Sequence, residues 1–204
     1  MIICGDAGLT WDNTAETNYW NDWAEERNFT IVSVLGNHEN YDTLRAIPTE
    51  EWCGGLVRKV RPHVMYLENG EYFTINGHTF FVMGGAKSTD KAYRKEHVSW
   101  WEEEIPSTAE MEHAAATLET HNFKVDYIIS HCAPNFLVDK LYPYDKPHDP
   151  ITNFLEKYVR ENTTFAAWFL GHYHVDRSTE DRKYNILYHD ILEIMPNGEW
   201  ELVG

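Results

Sequence analysis

Five residues spread along the 204-residue chain have side chains able to ligate a metal, and each stands in a short polar cluster. Asp6 follows Gly5, Asn37 follows Gly36, His131 follows Ser130, and His172 and His174 lie in Gly171-His172-Tyr173-His174. Together they offer a carboxylate, an amide and imidazoles, a donor mix suited to borderline divalent ions such as Mn, Fe, Zn, Ni or Co. No thiolate is required. Taken singly, each has an ordinary explanation: Asp after Gly is a common turn residue, and a lone histidine is more often hydrogen-bonded than a ligand. Their recurrence in one kind of position makes them a set.

That position is the end of a short apolar run. Residues 1–4 read as a buried strand stopped by Gly5-Asp6-Ala7-Gly8, and the β-branched run 30–35 reads as a strand covered on both faces, ending at Gly36-Asn37-His38-Glu39. Strands over 125–129 and 165–170 run into Ser130-His131 and Gly171-His172. Strand ends along one sheet edge bring residues distant in sequence together, as in α/β proteins generally. Between these strands, 12–28 is predicted as an amphipathic helix with Trp20, Trp23 and Ala24 on one face. Asn76-Gly77 marks a tight hairpin joining 72–75 to 78–83, which Gly84-Gly85 then breaks. Ser107-Thr108-Ala109-Glu110 is a capping box opening a helix towards Thr120. Segment 135–150 reads as a loop, 151–160 as a helix and 184–193 as further sheet. Trp100, Trp101 and Glu102 to Glu104 read as a helix with one apolar and one solvated face, and Lys87 and Arg94 as surface residues within reach of a substrate phosphate.

The bulk properties narrow the function. A chain of this length with 43% hydrophobic residues can bury a sizeable core and fits one domain, residues 1–204. The formal charge of -16 argues against long DNA or RNA as a partner, whereas small phosphate esters stay compatible because bound metal ions reverse the local sign. Cys4, Cys53 and Cys132 form neither a disulfide framework nor a thiolate cage, which points to a reduced, cytoplasmic setting. No apolar run reaches the length that spans a bilayer and the N-terminus carries no secretory pattern, so no membrane partner is expected.

In order along the chain, Gly5-Asp6, Gly36-Asn37-His38-Glu39, Ser130-His131 and Gly171-His172-Tyr173-His174 resemble the ordered signature of the calcineurin-like metallophosphoesterase superfamily. The tetrapeptide alone arises by chance on the order of once in a thousand chains of this length. The resemblance implies an α/β fold, a β-sandwich flanked by helices. It further implies that Asp6 bridges two metals, that Asn37, His131 and His172 complete one ligand set, and that His174 binds the second ion. His38 would be catalytic and, with Asn37, would contact substrate. In the implied reaction a hydroxide held between one or two divalent ions attacks phosphorus in line, and His38 protonates the leaving oxygen or stabilises its charge. The carboxylate that orients His38 stays open, with Glu39 and Asp12 near it in sequence.

Two departures qualify the resemblance. The family usually begins with a strand ending in Asp-x-His, which this sequence lacks, so the N-terminal strand is expected to be missing and the second metal to be weakly held. A non-catalytic binding module of the same fold, or a truncated inactive form, is the alternative to a phosphatase acting on a small phosphate ester or a phosphoprotein. Gly36 to Glu39 is shared with serine/threonine protein phosphatases, but here Gly5-Asp6 continues as Ala7-Gly8-Leu9 rather than into Asp-Arg-Gly.

Overall fold

The computed structural model describes residues 1–12 and 14–204. Its strands are β1 (Ile2–Ile3), β2 (Ile31–Ser33), β3 (Thr49–Trp52), β4 (Gly55–Arg61), β5 (Val64–Leu67), β6 (Tyr72–Ile75), β7 (His78–Met83), β8 (Tyr127–Ser130), β9 (Ala167–Leu170), β10 (Arg177–Ser178), β11 (Tyr184–Ile186), β12 (Leu192–Ile194) and β13 (Trp200–Leu202). The α-helices are α1 (Ala15–Glu25), α2 (Tyr41–Arg45), α3 (Thr108–Thr120), α4 (Asn135–Leu141) and α5 (Pro150–Phe154), the last continuing into a π-helical stretch, Leu155–Arg160.

Two mixed sheets pack face to face. One has the order β1-β2-β5-β4-β3 and the other β10-β11-β9-β8-β7-β6, while β12 and β13 pair separately. Val32, Val57, Met65 and Leu67 from the first sheet meet Phe73, Phe80, Val82, Tyr127, Ile129 and Phe169 from the second in a shared core. The alternate residues of the second sheet, among them Phe81, Ile128, Trp168 and Leu170, face outward onto Ala114 and Leu118 of α3, Leu137 and Val138 of α4 and Ile151 of α5. On the first sheet, Ala24 of α1 covers Ile31 and Val64, and Tyr41 and Leu44 of α2 pack with Leu35, Tyr66 and Trp101. Because every residue of β2, β5, β8 and β9 is buried, these strands read as unbroken apolar runs rather than alternating ones. The α/β sandwich flanked by helices expected above is the fold observed.

Several local expectations are met. Asn76 and Gly77 take φ of 51° and 85°, the left-handed pair of a tight hairpin turn, between β6 and β7. Ser107 caps α3 through the Glu110 amide, and the Glu110 side chain returns to the Ser107 amide. Other expectations need correction. Segment 135–150 opens with a helix, α4, started by Pro134 and anchored by buried Leu137 and Val138 against α5. Within 12–28 only Ala15–Glu25 is helical, with Thr14 as its cap, and Asn13 lies outside the described residues. Trp20 and Trp23 point to solvent at 55% and 42% exposure, while Ala24 of the expected face is buried, with Asn21 beside it. Glu104 is buried rather than part of a solvated acidic face, and Trp100 and Trp101 are buried beside the short 3-10 turn Glu102–Glu104. Among the described residues no helix is long and apolar enough to cross a membrane.

Candidate metal centre

Four strands deliver the polar clusters to one place. The chain leaves β1 into Asp6, β2 into Asn37 and His38, β8 into His131 and β9 into His172, so each sheet supplies two of the four. The turns are tight enough to demand glycine: a Cβ on Gly36 would lie 2.0 Å from Asp6 Oδ1, and one on Gly5, at φ 97°, 2.2 Å from His131 Nδ1. Asp6, His172 and His174 themselves adopt left-handed φ of 59°, 68° and 51°. Asp and His tolerate that region better than most residues, and such strain is held where surrounding structure imposes it.

The Asn37 side-chain oxygen is the hub. His131 Nε2 lies 2.9 Å from Asn37 Oδ1 and His172 Nδ1 lies 3.0 Å from it. Asp6 joins from the first sheet, with Oδ2 3.4 Å from His131 Nε2 and Oδ1 accepting the His38 backbone N–H at 2.8 Å. His131 Nδ1 donates to the Cys4 carbonyl at 2.7 Å, a bond that ties the two sheets together. His174 is exposed and stacks on Tyr188 with centroids 4.8 Å apart; it is not hydrogen-bonded to the other four. It does line, with Asp6, His131 and His172, a groove of about 670 Å³ that also takes in His189 and Asp190.

The electrostatics favour cation binding. Burial pulls His172 down to about 3, leaving a neutral imidazole, the form that ligates metals. For Asp6, burial alone would raise the pKa, but the His131 hydrogen bond and charge and the His38 amide outweigh it and hold the carboxyl well below the usual range. Since His131 Nδ1 must carry a proton to donate to Cys4, a neutral ring turns the Nε2 lone pair towards the Asn37 and Asp6 oxygens. Electron-rich atoms so placed repel one another unless a cation or a second ring proton lies between them. Accordingly His131 titrates above its ordinary value, because the Asp6 hydrogen bond and charge overcome its burial. The donor set therefore fits a divalent ion. It is not a cage of acidic and imidazole ligands alone: among the described residues no group of three or more His, Cys, Asp and Glu is placed to hold a metal, and the shared centre is an amide oxygen.

His38 stands at the rim, half-buried, with Nε2 3.2 Å from Asn37 Nδ2 and 3.4 Å from Arg94 Nη2. Arg94 is held by Asp90 at 2.7 Å and donates to the Ser99 carbonyl at 3.0 Å. Arg94 is thus no plain surface residue, while Lys87 is exposed. Neither acid near His38 in sequence orients it. Glu39 is buried, accepts from the Ala7 amide and Tyr66 hydroxyl, and is pushed up to about 8 by burial; Asp12 accepts from Thr14 and Thr17. Sequence reasoning noted Arg94 as able to reach a phosphate but favoured a surface role, read Glu104 as part of a solvated acidic face, and passed over Asp90 and Ser88, which carry no motif.

The family model for calcineurin-like phosphoesterases matches residues 1–176. No curated protein matches the sequence. Among solved structures, a putative 5'-nucleotidase from Staphylococcus aureus, in complex with alpha-ketoglutarate, aligns at 13% identity with a TM-score of 0.42. The alignment covers 90% of this chain and 38% of that one.

Proposed function

Because the chain belongs to the calcineurin-like phosphoesterase family, we propose that it is a metal-dependent phosphoric ester hydrolase whose divalent ions are held by Asp6, Asn37, His131, His172 and His174. One observation carries this reading: His131 Nε2 and His172 Nδ1 both lie within 3.0 Å of Asn37 Oδ1, with the Asp6 carboxylate 3.4 Å from His131 Nε2. A divalent ion bound there would supply Lewis acidity towards phosphoryl oxygens and would make hydroxide available at neutral pH as the nucleophile. Mn, Fe, Zn, Ni and Co all suit the donors.

The chain's own groups supply the rest. Arg94, fixed by Asp90 and Ser99, presents a planar cation beside His38 and takes up the phosphoryl oxygens, a role guanidinium geometry suits. His38, tied through its amide to Asp6, has Nε2 turned to the Asn37 and Arg94 donors and a pKa lowered by burial, so its ring proton lies on Nδ1, and through that N–H it stabilises charge on, or protonates, the leaving oxygen. Asn37 serves both parts, with its oxygen towards the histidines and its nitrogen towards His38. The acidic surface favours small phosphate esters over polyanions, and a phosphoprotein remains a second substrate class. Turnover of an unactivated alkyl phosphate monoester with Mn²⁺ tests the assignment: His38→Ala should lower kcat by about 10²- to 10⁴-fold, the usual contribution of a general acid, and equal rates would remove His38 from the chemistry.

A further inference from the structure

Asn37 is useful as a ligand only if its oxygen, and not its nitrogen, points at His131 and His172. The two ends of a carboxamide have the same shape, so packing alone does not choose between them; only hydrogen-bond partners do. His38 Nε2 at the rim, 3.2 Å from Asn37 Nδ2, is one such partner, and behind Asn37 lies a buried chain that makes the same choice. Asn37 Nδ2 is 3.0 Å from Ser88 Oγ, and the Ser88 hydroxyl donates to Glu104 Oε2 at 2.5 Å. The other oxygen of the same carboxylate, Oε1, accepts the Ser88 backbone N–H at 2.9 Å. Asn37, Ser88 and Glu104 are 3%, 5% and 2% exposed, so water does not compete for these groups.

We infer that Glu104 and Ser88 form a positioning relay that sets the direction of the Asn37 amide and thereby the metal affinity of the site. A serine hydroxyl has one proton. With that proton committed to Glu104, which as a carboxylate can only accept, Ser88 Oγ has only lone pairs left to offer Asn37. The amide NH₂ satisfies them and the amide oxygen does not, so Oδ1 is left facing the two imidazoles. Both members of the relay are placed by the loop after β7: Gly85 donates its N–H to the Leu35 carbonyl at 2.7 Å, and Ala86 donates to the Glu104 carbonyl at 3.0 Å. The loop thus rests on the strand end that carries Asn37. Nothing in the family match assigns either residue, and the inference rests on the metal-centre reading above.

The isosteric change Glu104→Gln gives a pointed test. A glutamine that still accepts the Ser88 N–H through its oxygen turns its NH₂ towards Ser88 Oγ. Ser88 then directs its proton to Asn37, the amide rotates, and NH₂ faces His131 and His172. Ser88→Ala removes the link altogether. Calorimetric titration of Mn²⁺ into the intact protein should show affinity weaker by about tenfold or more in each single variant, the usual scale for outer-shell partners of a metal ligand. The double variant should be no weaker than the poorer single one, since both act through one amide. Melting temperature of the metal-free proteins, measured alongside, separates loss of fold from loss of affinity. Folded single variants that bind Mn²⁺ as tightly as the wild type would overturn the relay while leaving the metal centre standing. A wild-type protein that binds no Mn²⁺ would overturn the metal centre and the relay together.

Discussion

At the scale of single residues, the site depends on groups whose roles are separable. Asn37 is the hub, so Asn37→Ala should lose Mn²⁺ binding in a calorimetric titration, whereas His38→Ala should keep it and lose turnover. In the proposed reaction Arg94, 3.4 Å from His38 Nε2, would hold the substrate phosphoryl group rather than the metal. Arg94→Ala should therefore raise KM for p-nitrophenyl phosphate by about tenfold or more, the loss of a charge-assisted hydrogen bond of about 1.5–3 kcal/mol, with Mn²⁺ affinity unchanged; an unaltered KM would place Arg94 outside the substrate site. The candidate ligands that the fold gathers, Asp6, Asn37, His131 and His172, could be picked out in sequence because each follows an apolar run and a small or polar residue, and the four clusters occur in a recognisable order. Ser88 could not, and Arg94 and Glu104 were read chiefly as surface charges, since what joins them to His38 and Asn37 is folding of the loop after β7 and not any local pattern. Glu104 shows the difficulty: in sequence it is the last of three consecutive glutamates, and nothing but burial against Ser88 distinguishes it from its solvated neighbours.

At the scale of elements, legibility followed local chemistry. The β6–β7 hairpin and α3 carry their own signals, an Asn-Gly turn and a reciprocal cap, and both form where expected. Ser107→Ala should accordingly lower stability by about 0.5–2 kcal/mol, the range for removing such a cap, seen as a reduced urea midpoint with unchanged slope. By contrast, β3 and β4 were not anticipated, because Arg58, Lys59 and Arg61 interrupt the apolar pattern of β4 and three of the four residues of β3 are exposed. Their order comes from pairing, β4 on β5 and β3 on β4, not from propensity. Helix α4 was hidden by the Pro, Asp and Tyr residues that follow it. The exposed tryptophans of α1 misled in the opposite sense, since their spacing with Ala24 matched a buried face on which Ala24 is buried, beside the polar Asn21, and the tryptophans are not.

At the scale of the whole molecule, the site is a junction between two sheets. Asp6 and Asn37 come from one, His131 and His172 from the other, and the contact between them is reinforced by the His131–Cys4 hydrogen bond. An ion held by all four would link the layers and stabilise the folded state by mass action. At a Mn²⁺ concentration about a hundred times Kd, the gain is about 2.7 kcal/mol, and at about 2–4 °C per kcal/mol for a chain of this size the melting temperature should rise by roughly 5–11 °C. Asn37→Ala should abolish that shift. A core change such as Ile128→Ala, at a fully buried position between β8 and the helices, should instead cost about 2–5 kcal/mol with or without the ion.

The most direct test of a metal-dependent phosphoesterase centred on Asn37 is phosphate release from p-nitrophenyl phosphate by the wild-type protein and Asn37→Ala, each with Mn²⁺ and with chelator. The wild type should turn over substrate only with the ion, and Asn37→Ala should be inactive in both conditions. Turnover that survives the chelator, or that Asn37→Ala matches, would contradict the account.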